Sequence, residues 1–100
     1  MYNTPILFLV FNRPDTTQVV FNRIREIRPS RLYVAADAPR EGRKDEALRC
    51  KEVKAIIEQV DWPCSVRKLY RDKNLGCKRA ISSAISWFFE QEEYGIILED

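Results

Sequence analysis

The residues Pro5-Ile6-Leu7-Phe8-Leu9-Val10-Phe11 form an unbroken apolar run with aromatic and β-branched character. A strand of this kind has no polar face to turn toward water, so it must be buried on both sides. Strands buried in that way belong to parallel sheets covered by helices. The rest of the chain supplies the covers. After the break at Asn12-Arg13-Pro14, Val20, Ile24 and Ile27 fall on one helical face, Asp15 with Gln18 has capping-box spacing, and Pro29 ends the helix. Leu32-Tyr33-Val34-Ala35-Ala36 reads as a second strand, and Val53, Ile56, Ile57 and Val60 repeat at the spacing of a core-facing helical stripe. Cys64 to Tyr70 alternates more than the first two strands, which suits an edge position. A third helix carries Cys77, Ile81, Ala84, Ile85 and Phe88 on one face, and Gly95-Ile96-Ile97-Leu98-Glu99-Asp100 reads as a final buried strand ending in two acids.

The resulting order is βαβαβαβ. Short connections and right-handed crossovers make a Rossmann-like, doubly wound parallel sheet the economical α/β solution, and residues 1–100 make one domain at most. A composition of 45% hydrophobic and 32% charged residues with three glycines supports a globular chain. Its expected radius of gyration is about 13 Å. No apolar run approaches the roughly 20 residues that span a bilayer. Pro5 to Phe11 is too short, and too poorly flanked by basic residues, to be a signal peptide. A formal charge of +2 gives no reason to expect a nucleic-acid partner. The absence of histidine excludes a cysteine–histidine zinc site or a histidine base within the chain. Cys50, Cys64 and Cys77 are odd in number and widely spaced, which points to reduced, structural thiols and a cytoplasmic setting.

Parallel strands bring four segments to one sheet edge: Asn12-Arg13-Pro14-Asp15, Asp37 with its following loop, Lys73 to Lys78, and Glu99-Asp100. Ligands of open α/β sheets bind at that edge. Acids from two strands beside several arginines and lysines suit a divalent metal bridging to a phosphorylated ligand. Neither a Gly-x-Gly-x-x-Gly turn nor a Walker-type loop is present, which disfavours dinucleotide oxidoreductases and P-loop enzymes.

These residues resemble a family. Asn12-Arg13-Pro14-Asp15 after the first strand, Asp37 closing the second, Asn74-Leu75-Gly76 opening a helix, and the terminal Gly-Ile-Ile-Leu-Glu-Asp look like the amino-terminal half of a GT-A-fold glycosyltransferase. The resemblance is to the N-acetylglucosaminyltransferase I-like group and its bacterial hemolysin-like relatives. It implies a nucleotide-diphosphate-sugar donor, a UDP-sugar being favoured, with Mn²⁺ or Mg²⁺ and a glycan or other acceptor. Carried over, it implies that Phe11 and Asn12 pass backbone groups near the nucleoside, that Arg13 lies against the nucleotide, and that Asp37 accepts a hydrogen bond from the base. Lys78 is the preferred cation for the diphosphate, and Glu99 and Asp100 begin the acidic metal motif. In that family the motif resembles Glu-Asp-Asp. Its third acid would follow Asp100, and the acceptor site and catalytic base also lie downstream. The implied entity is therefore the donor-binding portion of a longer domain, with little or no transferase activity by itself.

Each residue also has a plainer role. Asp37 can cap a helix, Arg13 and the Arg40-to-Lys44 cluster can be solvated loop charges, and Asn74 and Gly76 can shape a turn. Trp87 and Phe89 are expected to pack in a core or interface. Gly95 to Leu98 is expected to present an unpaired apolar edge through which the chain dimerises. The competing function is a non-catalytic α/β nucleotide-binding or protein-interaction module.

Overall fold

The computed structural model describes residues 2–100, with the element order β1 (Ile6–Val10), α1 (Pro14–Ile27), β2 (Arg31–Ala36), α2 (Lys44–Ile57), β3 (Ser65–Tyr70), α3 (Cys77–Phe89) and β4 (Ile96–Glu99). The four strands form one sheet in the order β3-β2-β1-β4, and every neighbouring pair is parallel. The expected α/β, Rossmann-like alternation is thus the observed one. Among the described residues no helix is long and apolar enough to cross a membrane.

Alternation along the central strands divides the core into two layers. Ile6, Phe8 and Val10 of β1 with Leu32, Val34 and Ala36 of β2 face α1 and α2, meeting Phe21, Ile24, Val53, Ile56 and Ile57. Leu7 and Leu9 with Tyr33 and Ala35 face the other way, onto Ala84 and Phe88 of α3. All five residues of β1 are buried, as its unbroken apolar run requires. The radius of gyration is 13.0 Å.

Local chemistry sets the helix boundaries. Pro14 takes the first helical position of α1, where its missing N–H costs nothing, so Arg13 becomes the cap and Asp15 falls inside the first turn. The capping box expected from Asp15 and Gln18 therefore does not form; Gln18 bonds instead to Asn22 at 2.9 Å and Gln59 at 3.1 Å. Arg28 closes the helix in the left-handed region at φ 54°, donating its N–H to Ile24 O, and Pro29 follows. The buried stripe of α1 is Thr17, Phe21 and Ile24, while Ile27 is exposed. That stripe is rotated from the expected one because Phe21 anchors on Trp62, ring centroids 6.0 Å apart. Trp62 lies beyond α2 and also donates its indole N–H to Pro29 O at 2.9 Å. Val53, Ile56 and Ile57 are buried as expected, with Val60 packing against them past the end of α2.

β3 occupies an edge, as its alternation predicts. β4 occupies the other, and here the expectation of a buried strand needs correction: its residues alternate between half-buried and exposed, and Ile97 is 39% exposed. The cause is coverage, since Ile97 pairs with Leu7 on the α3 side while α3 packs over β1 and β2.

Candidate functional site at the sheet's carboxyl edge

The strand order reverses between β1 and β4. α1 and α2 carry the chain outward from β1 to β2 and β3, and α3 carries it back across the sheet to β4. The connections leave in opposite directions at this point, so their loops diverge and open a crevice. Hydrogen bonds just past the strands keep the loops in step: Arg71 N–H reaches Ala36 O at 3.0 Å and Asp100 N–H reaches Leu9 O at 3.4 Å. A cavity of about 440 Å³ lies there. Leu9, Ala35, Leu69, Ile81 and Ala84 give it an apolar floor, and Asn12, Arg13, Asp37, Arg40, Arg71, Glu99 and Asp100 supply its polar rim. An apolar concavity with a few convergent polar groups is the usual form of a small-molecule site, typically about 300–1,000 Å³.

Asp37, one residue beyond β2, is buried and fully engaged. Its Oδ1 accepts the N–H groups of Ala38 and Leu75, both at 2.9 Å, and its Oδ2 accepts Gly76 N–H at 3.2 Å and the Asn74 amide at 3.3 Å. Asn74 also donates to Ala38 O at 2.7 Å. The carboxylate thus ties the loop before α3 to the end of β2. Gly76 caps α3 at φ 84°, a conformation that favours glycine, so Asn74 and Gly76 shape the turn as expected.

The sequence reading did not single out Glu46. It lies in the first turn of α2, and it is only 1% exposed. Its carboxylate accepts four hydrogen bonds: Arg40 backbone N–H at 2.8 Å, Arg40 Nε at 3.0 Å, Arg40 Nη2 at 2.6 Å and Asn12 Nδ2 at 3.0 Å. The Arg40 side chain and backbone, with help from Asn12, hold the Glu46 carboxyl down at about 2 against the opposing effect of burial. Arg40 is consequently pinned by Glu46 although, like Glu41 to Lys44, it is exposed, so of the expected solvated loop cluster Arg40 alone is held in place by this carboxylate. An acid three residues past a helix cap is the available sequence signal. It ordinarily marks a bond to the cap's own backbone, and here it reaches the preceding loop.

The other expected site residues are distributed unevenly. Phe11, Asn12 and Arg13 line the cavity, with Arg13 the most exposed of the three. Lys78 is exposed on the first turn of α3 and is not among the lining residues. Arg71 lines the cavity instead, its guanidinium steadied by Ser83 Oγ at 2.9 Å. Glu99 is exposed at the rim, and Asp100 is half-buried and accepts the hydroxyl of the fully buried Thr17. Burial pushes the Asp100 carboxyl above its ordinary value, against the lowering effect of that hydroxyl.

Among the described residues no group of three or more cysteines, aspartates and glutamates is assembled to hold a metal ion. Glu99 and Asp100 offer two neighbouring carboxylates. They leave the strand toward different faces, Glu99 opposite Leu9 on the α3 side and Asp100 toward Thr17 of α1, and a single carboxylate with ligand phosphates and water is a donor set that Mg²⁺-like ions accept.

All three cysteines are free. Cys50 is buried, and burial followed by the nearby Glu46 charge pushes its thiol up. Cys77, expected on the core face of its helix, is instead exposed at the cavity, because the first turn of α3 overhangs the sheet edge. The chain matches no protein-family model, no curated protein and no solved structure in the comparisons made.

Proposed function

We propose that this chain is the nucleotide-diphosphate-sugar-binding portion of a metal-dependent glycosyltransferase, with a UDP-sugar as the favoured donor and a glycan or other acceptor. The observation that carries this reading is the cavity at the strand-order reversal, whose rim combines arginines from the β1, β2 and β3 ends with two acids at the end of β4. The apolar floor suits a base or sugar ring, and the arginines suit a diphosphate. Phe11, Asn12 and Arg13 border the nucleotide, and Arg40 and Arg71 donate to the diphosphate, with Lys78 approaching from the α3 side as an outer cation. Glu99 and Asp100 would hold Mn²⁺ or Mg²⁺ together with the ligand's phosphates, and the ion would supply Lewis-acid stabilisation of a departing diphosphate. In such a transfer the acceptor's hydroxyl oxygen would bond to the sugar's anomeric carbon as the bond from that carbon to the diphosphate oxygen breaks, with UDP leaving and the hydroxyl proton passing to solvent.

The committed hydrogen bonds of Asp37 favour a second reading, a non-catalytic α/β nucleotide-binding or protein-interaction module, because they leave that carboxylate little capacity to read a base. Titration calorimetry with UDP, with and without Mn²⁺, separates the two. The first reading expects Mn²⁺-dependent binding that weakens in Arg71→Ala and loses its metal dependence in Glu99→Gln. Metal-independent UDP binding supports the module, and no UDP binding by the folded protein overturns the donor reading. Self-association through the free edge of β4 belongs to the same proposal.

A further inference from the structure

Glu46 spends a buried charge on something. Removing a carboxylate from water costs several kcal/mol unless partners replace the lost hydration, and its partners come from two different loops of the cavity wall. Asn12 follows β1 and Arg40 follows β2, and both line the cavity. A carboxylate offers about four lone-pair sites, and the four hydrogen bonds to Glu46 account for them. Glu46 therefore has no capacity left for a ligand. Its effect on the cavity must pass through the groups it holds.

Arg40 is the group through which it passes. Two of the five guanidinium N–H donors point to Glu46, leaving three, and the side chain remains 48% exposed. An unheld arginine in a loop carries rotamer entropy that a ligand must remove on binding, while a fork fixed in advance carries less of that cost. Pairing with Glu46 also offsets the cation's net charge, so what Arg40 brings to the cavity is directed hydrogen bonding more than long-range attraction.

We infer that Glu46 is a positioning residue for anion recognition: it fixes the Arg40 fork at the cavity rim so that the remaining N–H donors meet a diphosphate or similar oxyanion without prior ordering. This rests on the donor-binding reading for the identity of the anion, but not for the positioning itself.

The test is titration calorimetry with UDP and, separately, with inorganic pyrophosphate, each with Mn²⁺. The proteins are the wild type, Glu46→Gln, Arg40→Ala and the double variant, each checked for folding by circular dichroism. Glu46→Gln is expected to weaken binding about two- to tenfold, the size associated with ordering one long side chain. Arg40→Ala should weaken it at least as much, and the double variant should be no weaker than Arg40→Ala because Glu46 acts through Arg40. A merely structural role would persist in the Arg40→Ala background, so additive losses overturn the inference, as does unchanged binding by Glu46→Gln. If Glu46→Gln does not fold, Arg40→Lys replaces it: the charge is kept and the fork lost, so a similar weakening is expected, and wild-type affinity overturns the inference. Wild-type protein that binds pyrophosphate but not UDP overturns the nucleotide reading alone, with Arg40 positioning tested by the same variants on pyrophosphate. Binding of neither overturns both.

Discussion

At Gly95 there is no room for a methyl group. A Cβ there would lie 2.4 and 2.6 Å from Phe88 ring carbons and 2.9 Å from Pro5 O. Phe88 is fully buried, and Pro5 O accepts the N–H that starts β4, so neither neighbour yields easily. Gly95→Ala is expected to cost about 1–3 kcal/mol through overpacking, read as a lower urea midpoint with an unchanged slope. An unchanged midpoint would show that the ring gives way. Glu46 makes a second prediction at this scale. Its carboxyl sits at about 2 in the folded protein against an ordinary 4.5, so the ionised form stabilises the fold above pH 4.5, and that contribution is lost as pH falls from 4.5 through 2. Unfolding free energy measured across this window should fall more steeply in the wild type than in Glu46→Gln.

The start of α3 depends on Asp37 more than on any group of its own helix, since no side chain caps it and its first turn carries no acid. Asp37→Asn keeps the shape but turns an amide donor toward N–H groups that need an acceptor. Leaving such donors unmet costs about 1–3 kcal/mol. The amides of Leu75 and Gly76 should therefore exchange with solvent about ten- to a hundredfold faster, while those of β1 keep their protection; uniform exchange rates across the variant would contradict this. Elements of this kind also mark where the sequence was legible. β1 and β2 could be read because an unbroken apolar run allows few arrangements, and the Val53, Ile56 and Ile57 stripe because its period is helical. The Phe21 anchor is not legible because its partner Trp62 lies far along the chain, beyond α2. The role of Glu46 was missed for a related reason. A buried acid and a solvated one look alike until the loop that covers them is in place, and that loop is brought to α2 by tertiary structure alone.

The whole sheet has two unlike edges. β3 presents exposed Arg67 and Lys68, charges that discourage pairing with another strand. β4 presents Ile97, and exposed Phe89 and Tyr94 lie at the end of α3 and just before β4. Among the described residues β4 pairs only with β1. Self-association is expected to run through this edge, so sedimentation velocity should show concentration-dependent dimers in the wild type and their loss in Ile97→Lys; a wild type that stays monomeric would overturn it. The strand direction and the convergence of loops were readable from the order of elements. The strand order was not, because it depends on which way each crossover turns, and the gathering of the cavity rim depends on it in turn. The same two-layered construction places one indole on each side of the sheet: Trp62 against Phe21 beside α1 and α2, and Trp87 edge-on to Tyr33 at 5.4 Å beneath α3. Trp62→Phe and Trp87→Phe would each leave a single tryptophan, which excitation at the red edge of the indole band selects over the four tyrosines, giving the molecule separate optical reporters for its two halves. Since one sheet is the shared wall of both layers, the two emission signals should change together as denaturant is added.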